Sequence, residues 1–328
     1  MMDMLNLLLN QENIEQLSGE VAEFSWEWLA EGVLECTPNI YQQAIVLSCG
    51  IHGNETAPIE ILNQFVTGIF LGKYKLKQRM LFVLGNPEAI RKGLRYLKND
   101  MNRMFCGAYQ KLSSDQETDR AKLLEQLVVN FFKKSQPNTL RYHYDLHTAI
   151  RASLLPTFAL VPFQTQTQTQ AYDSGLINSL KAAELDAVVF HSEVAKTFTH
   201  FSSEKCQSAS VTLELGSAKP FGQNQLEDFD AIYQVIKAII EDNPLPKRQK
   251  APIREFTVKS SILKIEDDFT LNLTSEAPNF SIFETGSIIA TQGNQKIVAE
   301  QTIRILFPNP NVKKGLRAGL ILVESHKL

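Results

Sequence analysis

The sequence predicts an α/β domain followed by a smaller β-domain. Strand-like apolar runs alternate with helix-like amphipathic segments over the first 245 residues, as in α/β folds. A segment at 243–252, rich in proline and charge, then reads as a linker. Beyond it, short strand-like runs are separated by Asp, Gly, Asn and Pro. We therefore expect one domain over 1–245, a linker of about 243–252 and a second domain over 253–328.

The first half of the chain carries the clearest elements. Alternation of Phe24, Trp26 and Trp28 with polar residues predicts an early edge strand. The uninterrupted apolar runs at 44–49 and 80–84 are typical of buried parallel strands, and a one-sided apolar stripe predicts a helix over 58–71 between them.

The later elements follow the same logic. Ser114 with Glu117 three residues on predicts a capping box that opens a helix. Helices are also expected over 171–184 and 225–241, and strands over 142–147, 158–161, 188–190 and 211–215. In the β-domain we expect strands at 256–265, 269–273, 287–291, 296–299, 303–307 and 319–323. The Gln-Thr repeat at 164–170 is of low complexity and predicts a surface loop without chemistry.

Composition excludes several classes of function. A net charge of -3 gives no reason to expect nucleic acid or a membrane surface as a partner. No apolar run approaches the roughly 20 residues that span a bilayer, and the N-terminus lacks the basic start of a signal peptide. The four cysteines form no CxxC pair, which favours reduced thiols in a cytoplasmic enzyme. Whether copies of the chain form a homo-oligomer stays open.

A candidate metal site begins where the strand at 44–49 ends. His52 and Glu55 lie three residues apart at this strand-to-helix corner, and ligands of α/β sheets bind beyond the carboxyl ends of strands. A catalytic zinc ion needs three protein ligands and an open position, so a third ligand must come from another strand end. His147 closes the strand at 142–147 and can provide it. Asp145 points to the same side and is a candidate hydrogen-bond partner for His52 or His147.

This pattern also has an ordinary explanation. A single His-x-x-Glu pair is common by chance, and a lone histidine is more often a structural residue than a ligand. The remaining histidines, His143, His191, His200 and His326, are interpreted as surface or core residues.

Glu214 is the candidate general base. It interrupts the apolar strand at 211–215, where a carboxylate is costly to bury unless it is paired or functional. Partial desolvation there would raise its pKa toward neutrality. The alternative, a glutamate at a strand end that faces solvent, is equally compatible with alternation.

Basic residues accumulate between the proposed ligands. Most such runs are solvated surface, but the neighbouring Asn102 and Arg103 combine an amide with a guanidinium, which suits a carboxylate. Arg151 follows His147 by four residues. These residues favour a substrate with several carboxylates; the full basic set is Arg91, Lys92, Arg95, Lys98, Arg103 and Arg151.

Six motifs then occur in order and at suitable spacing. They are His-Gly-Asn-Glu at 52–55, Asn-Pro-Glu-Ala-Ile-Arg at 86–91, Arg-Tyr-Leu at 95–97, Asp-Met-Asn-Arg-Met-Phe at 100–105, Asp-Leu-His-Thr at 145–148 and Glu-Leu-Gly at 214–216. Together they resemble the succinylglutamate desuccinylase/aspartoacylase family of zinc-carboxypeptidase-like hydrolases. The resemblance extends over most of the chain, including the C-terminal β-domain.

The resemblance implies a fold, a reaction and a set of roles. The fold would be a zinc-carboxypeptidase-like mixed central sheet flanked by helices, with a smaller C-terminal β-domain. The reaction would be hydrolysis of N-succinyl-L-glutamate to succinate and L-glutamate, the last step of the arginine succinyltransferase route. The implied roles are one Zn²⁺ per subunit on His52, Glu55 and His147, Glu214 as general base, Arg95 at the scissile carbonyl, and Asn102 with Arg103 on a substrate carboxylate.

Three rival interpretations remain. Another amide hydrolase on the same scaffold would act on N-acetylaspartate or on a peptide C-terminus. A non-enzymatic binding protein should lack a ligand or the base, yet His52, Glu55, His147, Glu214 and Arg95 are all present. A structural zinc site would use four protein ligands rich in cysteine.

Overall fold

A large mixed sheet organises the computed structural model, which describes residues 2–12, 14–21, 23–149, 151–164 and 172–327. The strands of this sheet, together with three strands of a separate small sheet (β11, β13 and β14), are β1 Ser18–Val21, β2 Phe24–Ala30, β3 Val33–Pro38, β4 Gln43–Cys49, β5 Arg79–Leu84, β6 Leu140–His147, β7 Thr157–Val161, β8 Ala187–Phe190, β9 Ala209–Leu215, β10 Arg254–Leu263, β11 Thr270–Leu271, β12 Ser281–Phe283, β13 Ile288–Gln292, β14 Gln295–Val298, β15 Ile303–Leu306 and β16 Arg317–Glu324.

Helices cover the faces of this sheet. The α-helices are α1 Met4–Leu9, α2 Thr56–Phe70, α3 Pro87–Lys92, α4 Gln116–Lys133, α5 Ser174–Ala182, α6 Phe198–Cys206 and α7 Asp230–Glu241. Short 3₁₀ turns lie at Met101–Arg103, Ala108–Lys111 and Leu226–Phe229. No helix in the ranges given above combines the length and the apolar character needed to cross a bilayer.

Thirteen of the described strands form one sheet in the order β1-β2-β3-β5-β4-β6-β9-β7-β8-β10-β16-β15-β12. Its centre is parallel, from β5 through β4 and β6 to β9, and its two ends are antiparallel. The predicted mixed central sheet is therefore present. The expectation that the strand with Phe24, Trp26 and Trp28 is an edge strand is wrong, because β1 pairs with β2 and forms the edge itself.

Alternation along β4 explains why helices pack on both faces. Ile45 and Leu47 point into one apolar core, where they meet Phe65 of α2. Ala44 and Val46 point into the other, which contains Phe131 of α4. A strand that is buried on both faces must be apolar at every position, which is the pattern seen in its sequence.

The parallel register brings three strand ends together. Ser48 of β4 lies beside Asp145 of β6, and His147 of β6 lies beside Glu214 of β9. The corner that follows β4 therefore lies next to the ends of β6 and β9, at the edge where α/β sheets bind ligands.

The C-terminal strands extend the central sheet. After 243–252 the chain enters β10, which pairs in parallel with β8, and β16, β15 and β12 follow outward. A separate sheet, β11-β13-β14, shares an apolar cluster with the C-terminal strands of the large sheet; Ile289 of β13 and Ile305 of β15 both belong to it. The boundary between domains at 243–252 stays a prediction, while the backbone pairing shows how the second part attaches.

Some local expectations are wrong. The capping box of α4 is formed by Asp115 and Thr118, not by Ser114 and Glu117. The side chain of Glu117 turns inward instead and is buried. Strands β1, β3 and β12 and helices α3 and α6 were not expected. Helix α6 is rich in Ser, Thr and His and has no clear apolar stripe. The Gln-Thr repeat lies outside the described residues, except for Gln164.

Candidate active site

Three side chains at the ends of two neighbouring sheet strands form a potential metal-binding cluster. His52 and Glu55 lie in the corner between β4 and α2, and His147 ends β6. One donor atom from each lies within 4.8 Å of the others, and all three side chains are buried. The structure thus brings together the three residues predicted as ligands.

The carboxylate of Glu55 bridges the two imidazoles. Its Oε1 lies 2.8 Å from Nδ1 of His52, and its Oε2 lies 2.9 Å from Nδ1 of His147. Each ring turns its other nitrogen to a second carboxylate: Nε2 of His52 lies 3.0 Å from Asp100 Oδ1, and Nε2 of His147 lies 2.8 Å from Asp145 Oδ2. Of the two partners considered for Asp145, the structure shows His147.

This arrangement fits a divalent cation. Both ring nitrogens of each histidine face carboxylate oxygens, and two lone pairs at such distances repel unless a proton or a metal ion lies between them. Three carboxylates around two histidines therefore need positive charge, which two protons or one dication can supply. When Nε2–H donates to Asp100 or Asp145, Nδ1 is left as the metal donor, which is the usual arrangement of metal-binding histidines.

Electrostatics of the cluster point the same way. Burial alone would lower the pKa of His147, but the carboxylates of Asp145 and Glu55 raise it well above its usual value. Burial would also lower the pKa of His52, but the carboxylates of Glu55 and Asp100 outweigh it and raise this pKa. Burial disfavours ionised Glu55, yet the imidazoles of His147 and His52 outweigh it and lower the pKa of this carboxyl. The site therefore favours cations and ionised carboxylates.

Glu214 lies beside the cluster with a different character. It is only 8% exposed, so the alternative of a solvent-facing glutamate at a strand end is wrong. Burial raises the pKa of Glu214 to about 7; the charge of His147 opposes this shift and the carboxylate of Glu55 supports it. A carboxyl group with such a pKa can both accept and return a proton near neutral pH.

Arg95 approaches the cluster from the loop after α3. One of its terminal nitrogens donates to Glu55 Oε1 at 2.9 Å. Its carbonyl accepts from the backbone N–H of Gly53 at 3.2 Å, which ties this loop to the ligand corner. A Cβ at Gly53 would collide with the backbone of Ala89 and Ile90, so only glycine permits this approach.

Two cavities open from the cluster, and both contain Arg95 and Glu214. The first, about 580 Å³, also contains His52, His147, Asn102 and Arg103. The second, about 510 Å³, contains Arg151 and the loop residues Asn279 and Asn309 of the C-terminal part. Both volumes lie in the range of small-molecule sites.

The proposed anion-binding residues lie in different cavities: Asn102 and Arg103 line the first, and Arg151 lines the second. Asn102 is buried, and its Oδ1 accepts from the backbone N–H of Phe198 at 3.0 Å, while Arg103 donates to the carbonyl of Asn102 at 2.9 Å. The side chain of Arg151 donates to the carbonyls of Ser275 and Ala277.

Sequence reasoning missed Glu117 as part of the site. Its carboxylate accepts from the backbone N–H groups of Leu97, Lys98 and Asn99 at 2.7, 2.9 and 2.8 Å, and from Asn86 Nδ2 at 2.9 Å. It thereby fixes the loop that carries Arg95 and Asp100. The sequence pattern predicts a capping box for Glu117. A capping box and a contact to a distant loop both require only a glutamate in the first turn of a helix, so the sequence does not distinguish them.

A second group of missed residues lies behind Asp145. Its Oδ1 accepts from Ser48 Oγ at 2.5 Å, and Ser48 Oγ lies 2.8 Å from Nε2 of His143. Nδ1 of His143 lies 2.7 Å from Ser202 Oγ. Burial lowers the pKa of His143 to about 4 and keeps the ring neutral. These buried contacts hold the carboxylate of Asp145 against His147.

Both parts of this chain match models of known protein families. Residues 41–240 match the model of the "Succinylglutamate desuccinylase/Aspartoacylase catalytic domain", and residues 251–325 match the "AstE/AspA barrel-sandwich hybrid domain". The chain belongs to the succinylglutamate desuccinylase/aspartoacylase family. The predicted family, the predicted fold class and the prediction that the chain is a hydrolase are confirmed.

Individual relatives cover nearly the whole chain. The succinylglutamate desuccinylase of Yersinia pestis (strain Pestoides F) is 47% identical over 326 residues, which are 99% of this chain and 97% of that protein. The crystal structure of the enzyme of the same name from Chromobacterium violaceum has a TM-score of 0.86 at 35% identity and covers 99% of this chain and 98% of its own. The one from Vibrio parahaemolyticus has a TM-score of 0.89 at 29% identity, with 98% and 94% covered.

The contacts of Glu117 lead to a stability prediction. Glu117→Gln places an amide NH₂ where a carboxylate oxygen accepted backbone N–H groups, so we expect the free energy of unfolding to fall by about 1–3 kcal/mol. The measurement is urea unfolding followed by circular dichroism. Asp119→Asn removes the same charge from the exposed face of α4, where an amide oxygen can still accept the one exposed hydrogen bond from Ser114 Oγ, so it should lower stability by less than Glu117→Gln. Equal stability of both variants would show that Glu117 does not hold the loop.

Proposed function

We propose that this protein is a zinc-dependent amide hydrolase that converts N-succinyl-L-glutamate and water into succinate and L-glutamate. The observation that carries the proposal is the buried His52, Glu55 and His147 cluster, with Glu214 on the neighbouring strand and in the same cavity. Family membership and the name of the relatives support the substrate. The reaction would complete the arginine succinyltransferase route.

Zinc suits the donor set. Two histidines and one glutamate, with no fourth protein ligand among the residues that the structure describes, form the type of site that leaves a position open for catalysis. A zinc ion held there supplies a water molecule of lowered pKa and a Lewis acid for the amide carbonyl. Asp100 and Asp145 would orient the two histidine rings, as the partners of metal-binding histidines do.

The residues of the chain then divide the reaction between them. Glu214 takes a proton from the attacking water and returns it to the nitrogen of the leaving glutamate. Arg95 donates hydrogen bonds to the carbonyl oxygen of the succinyl group as negative charge develops there. Arg95 contacts Glu55, so it already lies beside one of the residues that would hold the metal ion.

Substrate recognition is assigned to the cationic residues of both cavities. Asn102 and Arg103 would bind one carboxylate in the first cavity, and Arg151 would bind one in the second. Because both cavities contain Arg95 and Glu214, an amide at those residues can extend its acyl and amino-acid arms in opposite directions.

The rival substrates remain testable. Relative turnover of N-succinylglutamate, N-acetylaspartate and a peptide with a free C-terminus, with and without a chelator, separates the three activities. The division into domains at 1–245 and 253–328, the cytoplasmic location and a small-molecule substrate as the main partner stay predictions from the sequence. Whether copies of the chain form a homo-oligomer stays open.

Replacement of the base tests the mechanism. Glu214→Gln should keep its zinc but lose about 10²–10⁴-fold in kcat, since it can no longer accept a proton. Turnover and metal content are measured on the same preparation. Glu193→Gln changes another carboxylate of the first cavity and should retain turnover. A Glu214→Gln variant with unchanged kcat would remove this residue from the mechanism.

The pH profile gives a second test. Because the base must be ionised in the free enzyme, and burial raises the pKa of Glu214 to about 7 while the charge of a bound zinc ion would oppose this rise, we expect kcat/KM to rise with pH and to level off at or below about 7. The measurement is kcat/KM of the zinc-loaded protein from acidic to alkaline pH. A profile that does not fall on the acidic side of neutrality while zinc stays bound would contradict the assignment of Glu214.

Metal content tests the ligand set. His147→Ala should lower bound zinc, because it removes a donor atom and leaves Asp145 and Glu55 without their shared partner. Elemental analysis of purified protein measures the zinc. His326→Ala, an exposed histidine, serves as the control. Full zinc occupancy in His147→Ala would exclude His147 as a ligand.

A further inference from the structure

A cationic side chain of the C-terminal strands reaches the first cavity. Arg317 begins β16 and lies opposite Leu263 of β10. Its side chain lines the cavity of about 580 Å³ that also contains Glu214 and Arg103. The C-terminal part therefore contributes a charge to the proposed substrate site, and none of the motifs at 52–216 includes it.

Arg317 has no anionic partner. In the part of the chain that the structure describes, no carboxylate forms an ion pair with its guanidinium, and no protein group accepts a hydrogen bond from it. Glu193 lines the same cavity but pairs with neither Arg317 nor Arg103. Burial and the positive charge of Arg103 lower the pKa of Arg317 to about 10, which still leaves it charged at neutral pH.

Two neighbouring guanidiniums suit an anionic ligand here: in the described part of the chain Arg317 forms no ion pair, and Arg103 has only the nearby charge of Asp100 without a direct salt bridge. A partly buried charge is costly unless it is paired, and the proximity of Arg103 adds repulsion. A carboxylate bound between them would remove both costs and accept charge-assisted hydrogen bonds. His191 lines the same cavity, and burial with the charge of Arg317 lowers its pKa to about 4, so it is neutral and needs no anion itself.

The distribution of charge between the cavities assigns the arms of the substrate. Besides Arg95 and Glu214, which both cavities share, the first cavity contains three cationic side chains, namely Arg103, Lys196 and Arg317, and one carboxylate, Glu193. The second contains Arg151, which already donates to two backbone carbonyls, and Glu276. The glutamate arm of N-succinylglutamate carries two carboxylates and the succinyl arm carries one, so charge complementarity favours the glutamate arm in the first cavity.

We propose that Arg317, together with Arg103, binds the side-chain carboxylate of the glutamate arm and so determines specificity for the amino acid. This inference rests on the proposed function. It makes Arg317 a substrate-binding residue that the C-terminal strands contribute to a site otherwise formed by the parallel part of the sheet.

The test compares one variant on three substrates. Arg317→Met should lower kcat/KM about 10- to 100-fold on N-succinyl-L-glutamate, because it removes charge-assisted hydrogen bonds to a carboxylate. The same loss is expected on N-butanoyl-L-glutamate, which lacks the succinyl carboxylate. No loss is expected on N-succinyl-L-2-aminopentanoate, which lacks the side-chain carboxylate. Equal losses on all three substrates, or none on any, would overturn the proposal.

Control variants separate charge from structure. Lys313→Met removes the same charge from an exposed position before β16 and should change none of the three rates. Arg317→Lys keeps the charge but loses the planar fork, and should retain part of the activity on N-succinylglutamate. Thermal unfolding of Arg317→Met should occur at the same or a higher temperature than in the unaltered protein, because the variant removes an unpaired, partly buried charge.

Direct binding separates this inference from the proposed function. If the zinc-loaded protein does not hydrolyse N-succinylglutamate, the proposed function fails. Titration calorimetry with L-glutamate and with succinate still tests Arg317. Arg317→Met should weaken glutamate binding at least about 10-fold and leave succinate binding unchanged. Unchanged glutamate binding would overturn the role of Arg317 whatever the turnover.

Discussion

The bridge from Glu55 to the two histidines is the interaction on which the site depends. One carboxylate contacts His52 from its own corner and His147 from the end of β6, at 2.8 and 2.9 Å. These contacts are possible only because β4 and β6 are adjacent and parallel, so that their carboxyl ends coincide. Burying this much charge would be unfavourable without a cation, and a dication resolves the excess of carboxylates in one step.

The residues around the bridge serve to keep it in place. Asp100 and Asp145 fix the two rings from behind, and Ser48 in turn fixes Asp145. Glu117 holds the loop from which Asp100 approaches. The polar groups are buried but paired, and a buried polar network is stabilising only when its members are satisfied. The site is thus rigid before any substrate arrives, which is what catalysis by positioned charges requires.

The sequence predicted the parts of this arrangement that are local or that lie at strand ends. His52 and Glu55 are close together on the chain, and the strand that ends in Asp145 and His147 is recognisable from residues 142–146, which look buried. Glu214 was detectable because a carboxylate stood in an apolar strand. Contacts set by the tertiary structure were not predictable: Glu117 is 18–20 residues from the amides it binds. Edge strand β1 and helix α6 escaped because their polar sequences carry little periodicity.

The continuity of the sheet explains how the C-terminal strands can take part in recognition. Strand β10 pairs with β8, and β16 pairs with β10. Backbone hydrogen bonds therefore connect β16 through β10 to the rest of the large sheet. Arg317 is therefore placed as firmly as a residue of the parallel strands. A loop could offer the same charge, but it would lose more conformational entropy on binding. If both proposals hold, chemistry and specificity can change separately, because the proposed metal-binding corner and Arg317 belong to different parts of one sheet.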